Sequence, residues 1–234
     1  MDHSNQTVLV TGAAGNLGRA LAHLLAQRGA RLILLGRDGA HLRRVYGGDS
    51  ERQLLQEADL LVQDQVDAAV RAAQQRFGGI DVLCNIAGGF RMGPPVHETA
   101  DEDWDSLFGL NTKSVVHAAR AVVPGMIAAG AGKIVNVAAN SALKGVAGMA
   151  AYCASKDAVI RITEAMAAEL KDKRINVNCV LPSVIDTPEN RAAMPDADPG
   201  RWVSPEALAE VIAFLASDAA RAVNGAAIPV VGKG

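Results

Sequence analysis

Val8-Leu9-Val10-Thr11-Gly12-Ala13-Ala14-Gly15-Asn16-Leu17-Gly18 decides the fold of this chain. Val8–Val10 is a short apolar run of strand type. From Leu17 to Arg28 the apolar residues recur at helical spacing until Gly29 stops them. Between the two stands the turn Gly12-x-x-Gly15-x-x-Gly18. Glycines let a backbone turn sharply and approach a ligand closely. The N-terminus of a helix adds N–H groups and positive potential, and together these are what a dinucleotide pyrophosphate requires. A spaced glycine triplet alone also serves as a plain structural turn. Its place between a strand and a helix is what gives it meaning.

Outward from that turn, strand and helix patterns alternate. Arg31–Leu35 is a second strand, and Gly39–Gln56 is ambiguous because Gly47-Gly48 breaks a potential helix. Leu60–Val62 reads as a short third strand, Val66–Arg76 as a helix and Asp81–Asn85 as a fourth strand. Thr99-Ala100-Asp101-Glu102 fits a capping box and predicts a long helix to about Ala129. Ile134–Ala138, Ile175–Val180 and Ala227–Val231 are further strands, with helices over Ala151–Leu170 and Pro205–Leu215. The succession predicts an α/β chain, a Rossmann-type doubly wound parallel sheet of about seven strands with helices on both faces. It is expected to form one domain over residues 1–234. The Pro- and Asp-rich stretch Pro182–Pro205 follows the C-terminal end of a strand, where ligands bind in such sheets, and reads as a substrate flap near 183–204.

Composition narrows the function classes. Of 234 residues, half are hydrophobic, enough for a full core. A net charge of −2 argues against nucleic acid as a partner, since phosphate backbones need clustered positive charge. No apolar run reaches the ~20 residues that span a bilayer. The start Met1-Asp2-His3-Ser4-Asn5-Gln6 lacks the pattern of a signal peptide. Cys84, Cys153 and Cys179 lie in apolar contexts and read as free thiols of a reducing compartment, which places the chain in the cytoplasm. His3, His23, His41, His97 and His117 show no metal-ligand spacing.

Tyr152 and Lys156, four residues apart, share one helix face. An ammonium there lowers the phenol pKa from its ordinary ~10 and binds a ribose, leaving Tyr152 to act as a general acid for a carbonyl oxygen. The alternative is an amphipathic helix whose tyrosine merely packs.

Taken together, the glycine turn, Asn85-Ile86-Ala87-Gly88, Asn111 and Tyr152-Cys153-Ala154-Ser155-Lys156 resemble the short-chain dehydrogenase/reductase family over essentially the whole chain. The middle glycine of the common pattern is one place later, where this chain has Asn16. The resemblance implies that Gly12, Ala14, Gly15, Asn16, Leu17 and Gly18 line a bound NADP or NAD. Asp59 and Leu60 would flank the adenine, and Asn85, Ala87 and Gly88 would form the turn under the cofactor. Pro182, Ile185 and Thr187 would meet the nicotinamide end. Tyr152, Lys156 and Asn111 would be catalytic, Asn111 opening its helix and holding a water that extends a proton relay from the lysine. The helices Asp103–Ala129 and Ala151–Leu170 would pair subunits into a homodimer or homotetramer. Family NAD enzymes carry Asp where Gly36 stands, and Arg37 follows it. Arginine grips phosphate bidentately, so NADP is the preferred cofactor, with Asp38 weighing the other way.

Thirteen residues before the tyrosine the family has a serine, and this chain has Ala139. Three readings follow: a substrate that does not need the serine, replacement by Asn140 or Ser141, or lost catalysis with binding retained. Ser141 would share the side of Ala139 if the strand continued. A narrower resemblance, to dihydropteridine reductases, covers Ala139 to Tyr152 and the later Leu181-Pro182, Asp186-Thr187-Pro188, Asn190-Arg191, Met194-Pro195 and Trp202. Those enzymes also have alanine and deliver hydride to an electron-poor quinonoid ring. They differ in having an acidic residue at the end of the second strand and no counterparts of Asn85 and Asn111. The expected function is therefore NAD(P)-dependent hydride transfer to a carbonyl or quinonoid ring of a small molecule. The rival is a dinucleotide-binding regulatory or scaffold protein. Trp202 covers the site or anchors the flap.

Overall fold

In the computed structural model, which describes residues 1–233, seven parallel strands form one sheet in the order β3-β2-β1-β4-β5-β6-β7. They are β1 (Thr7–Thr11), β2 (Arg31–Gly36), β3 (Gln53–Glu57), β4 (Val82–Asn85), β5 (Gly132–Val137), β6 (Ile175–Pro182) and β7 (Ala227–Val230). The helices are α1 (Asn16–Gln27), α2 (Gly39–Tyr46), α3 (Gln63–Phe77), α4 (Asp101–Phe108), α5 (Ser114–Ala129), α6 (Ala150–Leu170), α7 (Pro188–Ala193) and α8 (Pro205–Ala216). Strand order reverses between β1 and β4, which opens a crevice at their C-terminal ends. No helix of the described residues is long and apolar enough to cross a membrane.

Side-chain alternation builds the two faces. Val8, Val10, Leu32 and Leu34 pack with Leu21 and Leu25 of α1 and with Leu208 and Ile212 of α8. Leu9, Ile33, Leu83 and Ile134 point the other way, onto Val70 of α3 and onto Ala118, Val122 and Met126 of α5. A sheet covered on both faces needs apolar residues at successive strand positions, hence its continuous apolar runs.

Several expectations are corrected. The third strand is Gln53–Glu57, and Leu60–Val62 lies in the connection to α3, with Leu61 and Val62 exposed. The ambiguous stretch contains α2, which ends where Gly47 takes a left-handed φ of 77°. There is no capping box: Ala100 is the N-cap of α4, and the Thr99 hydroxyl donates to the Pro94 and Pro95 carbonyls. The long helix to Ala129 is interrupted by a π-helical turn at Gly109–Lys113. Within 183–204 the chain forms α7 and a 3₁₀ turn, Pro199–Arg201.

Candidate active site

The glycine turn and the Asn85–Gly88 turn are docked on each other. The Thr11 hydroxyl accepts from the Ile86 and Ala87 N–H groups at 3.0 and 3.2 Å. Gly12 has φ 63°, and a Cβ on it would lie 2.8 Å from the Ala87 Cα. A Cβ on Gly18 would lie 2.3 Å from the Gly12 carbonyl oxygen, so that glycine lets α1 close on the turn. The Tyr46 hydroxyl donates to the Ala13 carbonyl at 2.6 Å and braces the turn from α2. Helices α2, α7 and α8 have side-chain caps from Asp38, Thr187 and Ser204, whereas α1 has none and no acidic residue in its first turn. With no cap and no carboxylate of its own in the first turn, the N-terminus of α1 fits a pyrophosphate. The Asn16 side chain donates from Nδ2 to Glu189 Oε2 of α7 at 2.8 Å.

Arg37 is exposed just past Gly36, the last residue of β2. Asp38 accepts from the His41 N–H at 2.8 Å as the cap of α2, and that bond holds its carboxyl below the usual carboxylate range. The carboxylate is thus committed to its helix, while the neighbouring guanidinium is not. Asp59 accepts from the Leu61 N–H, and the Leu60 carbonyl pairs with His117 Nδ1 at 2.8 Å. At the other end of the crevice Thr187 caps α7, and the Ile185 carbonyl accepts from Asn190 Nδ2 at 2.8 Å. Pro182 closes β6 beside them.

Tyr152 and Lys156 share the first two turns of α6. Lys156 is 4% exposed and its ammonium donates to the Val137 carbonyl at 2.9 Å. Asn111 sits in the π turn, a wide-turn feature common at functional sites. Its Oδ1 accepts from Gly89 N–H at 2.8 Å, and its Nδ2 donates to the Gly89 carbonyl and to Ser155 Oγ, both at 3.0 Å. A Cβ on Gly88 would come within 2.9 Å of Lys156 Nζ and 3.0 Å of Asn111 Oδ1. Lysine, asparagine and the 88–89 turn thus share one buried junction. Ser155, fully buried between Tyr152 and Lys156, was not singled out from the sequence. Neither were Asn136 and Thr163, which continue a polar chain from Asn85 (Asn85 Nδ2 to Asn136 Oδ1, Asn136 Nδ2 to Thr163 Oγ1, both 2.9 Å). The available signal was Asn136 itself, a polar residue inside an apolar strand.

Burial pushes the Lys156 ammonium down to about 8. It pushes the Tyr152 phenol up to about 12, with Cys153 raising it further. The expected lowering of the phenol by the ammonium is absent here, because Lys156 is turned onto Val137. At neutral pH the phenol is therefore protonated and able to donate. Ala139 is 3% exposed, just past β5, with an extended φ of −157°. The strand does not continue, because Asn140–Leu143 forms a 3₁₀ turn. Ser141 therefore does not inherit the side of Ala139 by strand alternation.

The Lys156 shift has a consequence for stability. Between about pH 8 and 10.5 the unfolded chain keeps the lysine proton that the folded one has lost, so stability rises with pH there. Below that window the cost of the buried charge is present in full. Lys156→Met is expected to stabilise the cofactor-free protein at pH 7 by about 1–3 kcal/mol. The gain should vanish near pH 10.5, the ordinary lysine value. Paired urea titrations of both proteins at the two pH values check this, and a destabilised variant at pH 7 would contradict it.

Residues 6–198 match the family model for short chain dehydrogenase. The chain belongs to the short-chain dehydrogenase/reductase family. It is 35% identical to the D-threitol dehydrogenase of Mycolicibacterium smegmatis over 97% of this chain and 92% of that one. It is 36% identical to the 3-oxoacyl-(acyl-carrier-protein) reductase of Thermotoga maritima over 96% and 95%. Among solved structures, a gluconate 5-dehydrogenase from Burkholderia cenocepacia in complex with NADP and tartrate superposes with a TM-score of 0.89 at 30% identity, covering 99% of this chain and 95% of the other. A 3-ketoacyl-(acyl-carrier-protein) reductase from Brucella melitensis complexed with NADH gives 0.86 at 32% identity, covering 97% of each. This short-chain family member is an NAD(P)-dependent oxidoreductase.

Proposed function

We propose that this short-chain oxidoreductase uses NADPH to reduce a small electron-poor electrophile, an activated carbonyl or a quinonoid ring. The observation that carries the proposal is a buried Ala139, which offers no donor, in a chain that keeps Tyr152 and Lys156 one turn apart on α6. The nicotinamide, when bound, supplies hydride from its C4. The chain's own residues do the rest. The glycine turn (Gly12, Ala14, Gly15, Asn16, Leu17, Gly18) holds the pyrophosphate against the N-terminus of α1. Arg37 takes the 2′-phosphate, Asp59 and Leu60 flank the adenine, and Asn85, Ala87 and Gly88 form the floor. Pro182, Ile185 and Thr187 meet the carboxamide. Lys156 binds the ribose hydroxyls. Tyr152 gives its proton to the substrate oxygen or ring nitrogen, so that hydride and proton together complete a two-electron reduction. Asn111 holds the 88–89 turn in register with Lys156.

An unactivated ketone needs a second donor on its oxygen as charge develops, and Ala139 cannot be one. An electron-poor ring carries that charge in its own π system. The similarity to dihydropteridine reductases around Ala139 favours such a ring, while Arg37 favours NADPH over their NADH. The subunits would pair through α5 and α6. The deciding experiment follows oxidation of NADPH and NADH with a quinonoid dihydropterin and a ketone panel. Turnover of the ring compound with little ketone activity is expected. Cofactor binding without turnover of either class would favour the regulatory rival. For cofactor choice, Arg37→Ser removes a charge-assisted contact worth about 1.5–3 kcal/mol when well formed. At this exposed site it should weaken NADPH relative to NADH by about tenfold. An unchanged ratio of the two dissociation constants would reassign the phosphate site.

A further inference from the structure

Asn16, the residue that departs from the usual glycine pattern, has a partner that explains it. Its Nδ2 donates to Glu189 Oε2 at 2.8 Å, while its Oδ1 accepts from Arg19 Nη2 at 3.0 Å. The arginine fixes which way the amide points: with the oxygen committed to a cation, the nitrogen must face the carboxylate. Its own backbone N–H and the Thr187 hydroxyl hold the Glu189 carboxyl below the usual carboxylate range, so it is ionised at neutral pH.

The bond is isolated. A cleft of about 750 Å³, lined by Asn16, Arg19, Asp186, Thr187, Pro188 and Arg191 among others, separates α1 from α7. The other polar side chains of α7 stay within their own segment: Asn190 donates to the Ile185 carbonyl, and Arg191 makes a bidentate pair with Asp186. Among the described residues, Asn16–Glu189 is the only hydrogen bond between α7 and a residue outside 185–194. Its two ends belong to segments with different tasks in the proposed function. Asn16 opens α1 in the pyrophosphate turn, and Glu189 lies two residues beyond Thr187 at the nicotinamide end.

We propose that Asn16 and Glu189 form a clasp that holds α7, within the 183–204 flap, on the glycine turn and slows release of the whole dinucleotide. The inference rests on the cofactor placement proposed above. A single exposed hydrogen bond with one charged partner gives a modest effect, so Glu189→Ala and Asn16→Ala should each raise the NADPH dissociation rate about three- to tenfold. The double variant should be no faster than the faster single one, because each change breaks the same bond. Glu189→Gln, which keeps an acceptor, should fall between wild type and Glu189→Ala.

The test is stopped-flow displacement of NADPH from the full-length protein, followed by nicotinamide fluorescence. Adenosine 2′,5′-bisphosphate, which lacks the nicotinamide half, is measured in parallel. Its dissociation rate should be the same in the wild type, Glu189→Ala and Glu189→Gln, because Glu189 lies on α7 and not in the turn that holds the phosphates. Unchanged NADPH rates, multiplicative effects in the double variant, or equal effects on both ligands would overturn the clasp while leaving the cofactor site intact. Failure of the wild-type protein to retain NADPH or NADH would overturn the cofactor placement and the clasp with it. Thermal melts of each variant show whether the fold is kept. A large loss of stability in Asn16→Ala leaves the Glu189 pair of variants to decide.

Discussion

Tyr152→Phe is expected to lower kcat for reduction by about 10²–10⁴-fold, the usual range for losing a positioned general acid. Cofactor affinity and stability should stay near wild type, and the structure says why. The Tyr152 ring packs edge-on against Phe90, with centroids 4.9 Å apart and planes at 88°, and a phenyl ring keeps that contact. Among the described residues the Tyr152 hydroxyl has no hydrogen-bond partner, and its backbone carbonyl, which accepts from Ser155 Oγ at 2.8 Å, is unaffected by the substitution. Deleting the hydroxyl therefore removes a proton and little else. Steady-state kinetics beside NADPH titration and urea unfolding separate these effects. A fall in kcat below tenfold would assign the proton to another donor. The pH profile gives a second reading. The phenol, pushed up to about 12, stays protonated through the neutral range, whereas Lys156, at about 8, does not. In the cofactor-free protein the charged lysine is lost as pH rises through about 8, so kcat/KM for reduction should decline there before the phenol titrates.

Much of this machinery was legible because its parts are local. The strand–turn–helix at Thr7–Gln27 and the Tyr152–Lys156 spacing each lie within a few turns of chain, and period and glycine placement report them directly. What was missed depended on partners far away in sequence. β3 is an edge strand that pairs with β2 alone, and of Gln53–Glu57 only Leu54 is buried. The more apolar Leu60–Val62 imitates a strand while its side chains lie in a connection, Leu61 46% exposed. Thr99 failed as a cap because two proline carbonyls just upstream take its hydroxyl. The π turn left no mark on the apolar pattern, since helical and π spacings diverge by only one residue over one turn. Asn111 could be singled out as a residue, but its bonds to Gly89 and Ser155, 22 and 44 positions away, exist only once α5 and α6 are packed. Sequence reading therefore named members of the junction and left its wiring to the fold.

Ala139→Ser is the change with the largest expected gain. Position 139 is buried, extended and immediately beyond β5, so a serine there keeps the backbone and adds one oxygen. The hydroxyl has to find a partner, and an unbonded one costs about 1–3 kcal/mol, which bounds the loss of stability. Where charge develops on a substrate oxygen, removing one donor costs about 10²–10³ in rate, and restoring one should recover the lower part of that range. We expect kcat/KM for unactivated cyclic ketones to rise about 10²-fold, with less than about threefold change for a quinonoid ring, whose charge is delocalised away from position 139. The two substrates must be assayed on the same preparations, because only the ratio separates chemistry from folding yield. A comparable rise on both would mean that the natural reaction also develops charge on an oxygen beside Ala139 and runs below its capacity. No rise on either would mean that residue 139 does not face the reacting oxygen, and Tyr152 alone would then have to carry the stabilisation. A specialised electrophile predicts the asymmetric result, since a site matched to its substrate gains nothing from a donor that its transition state cannot use.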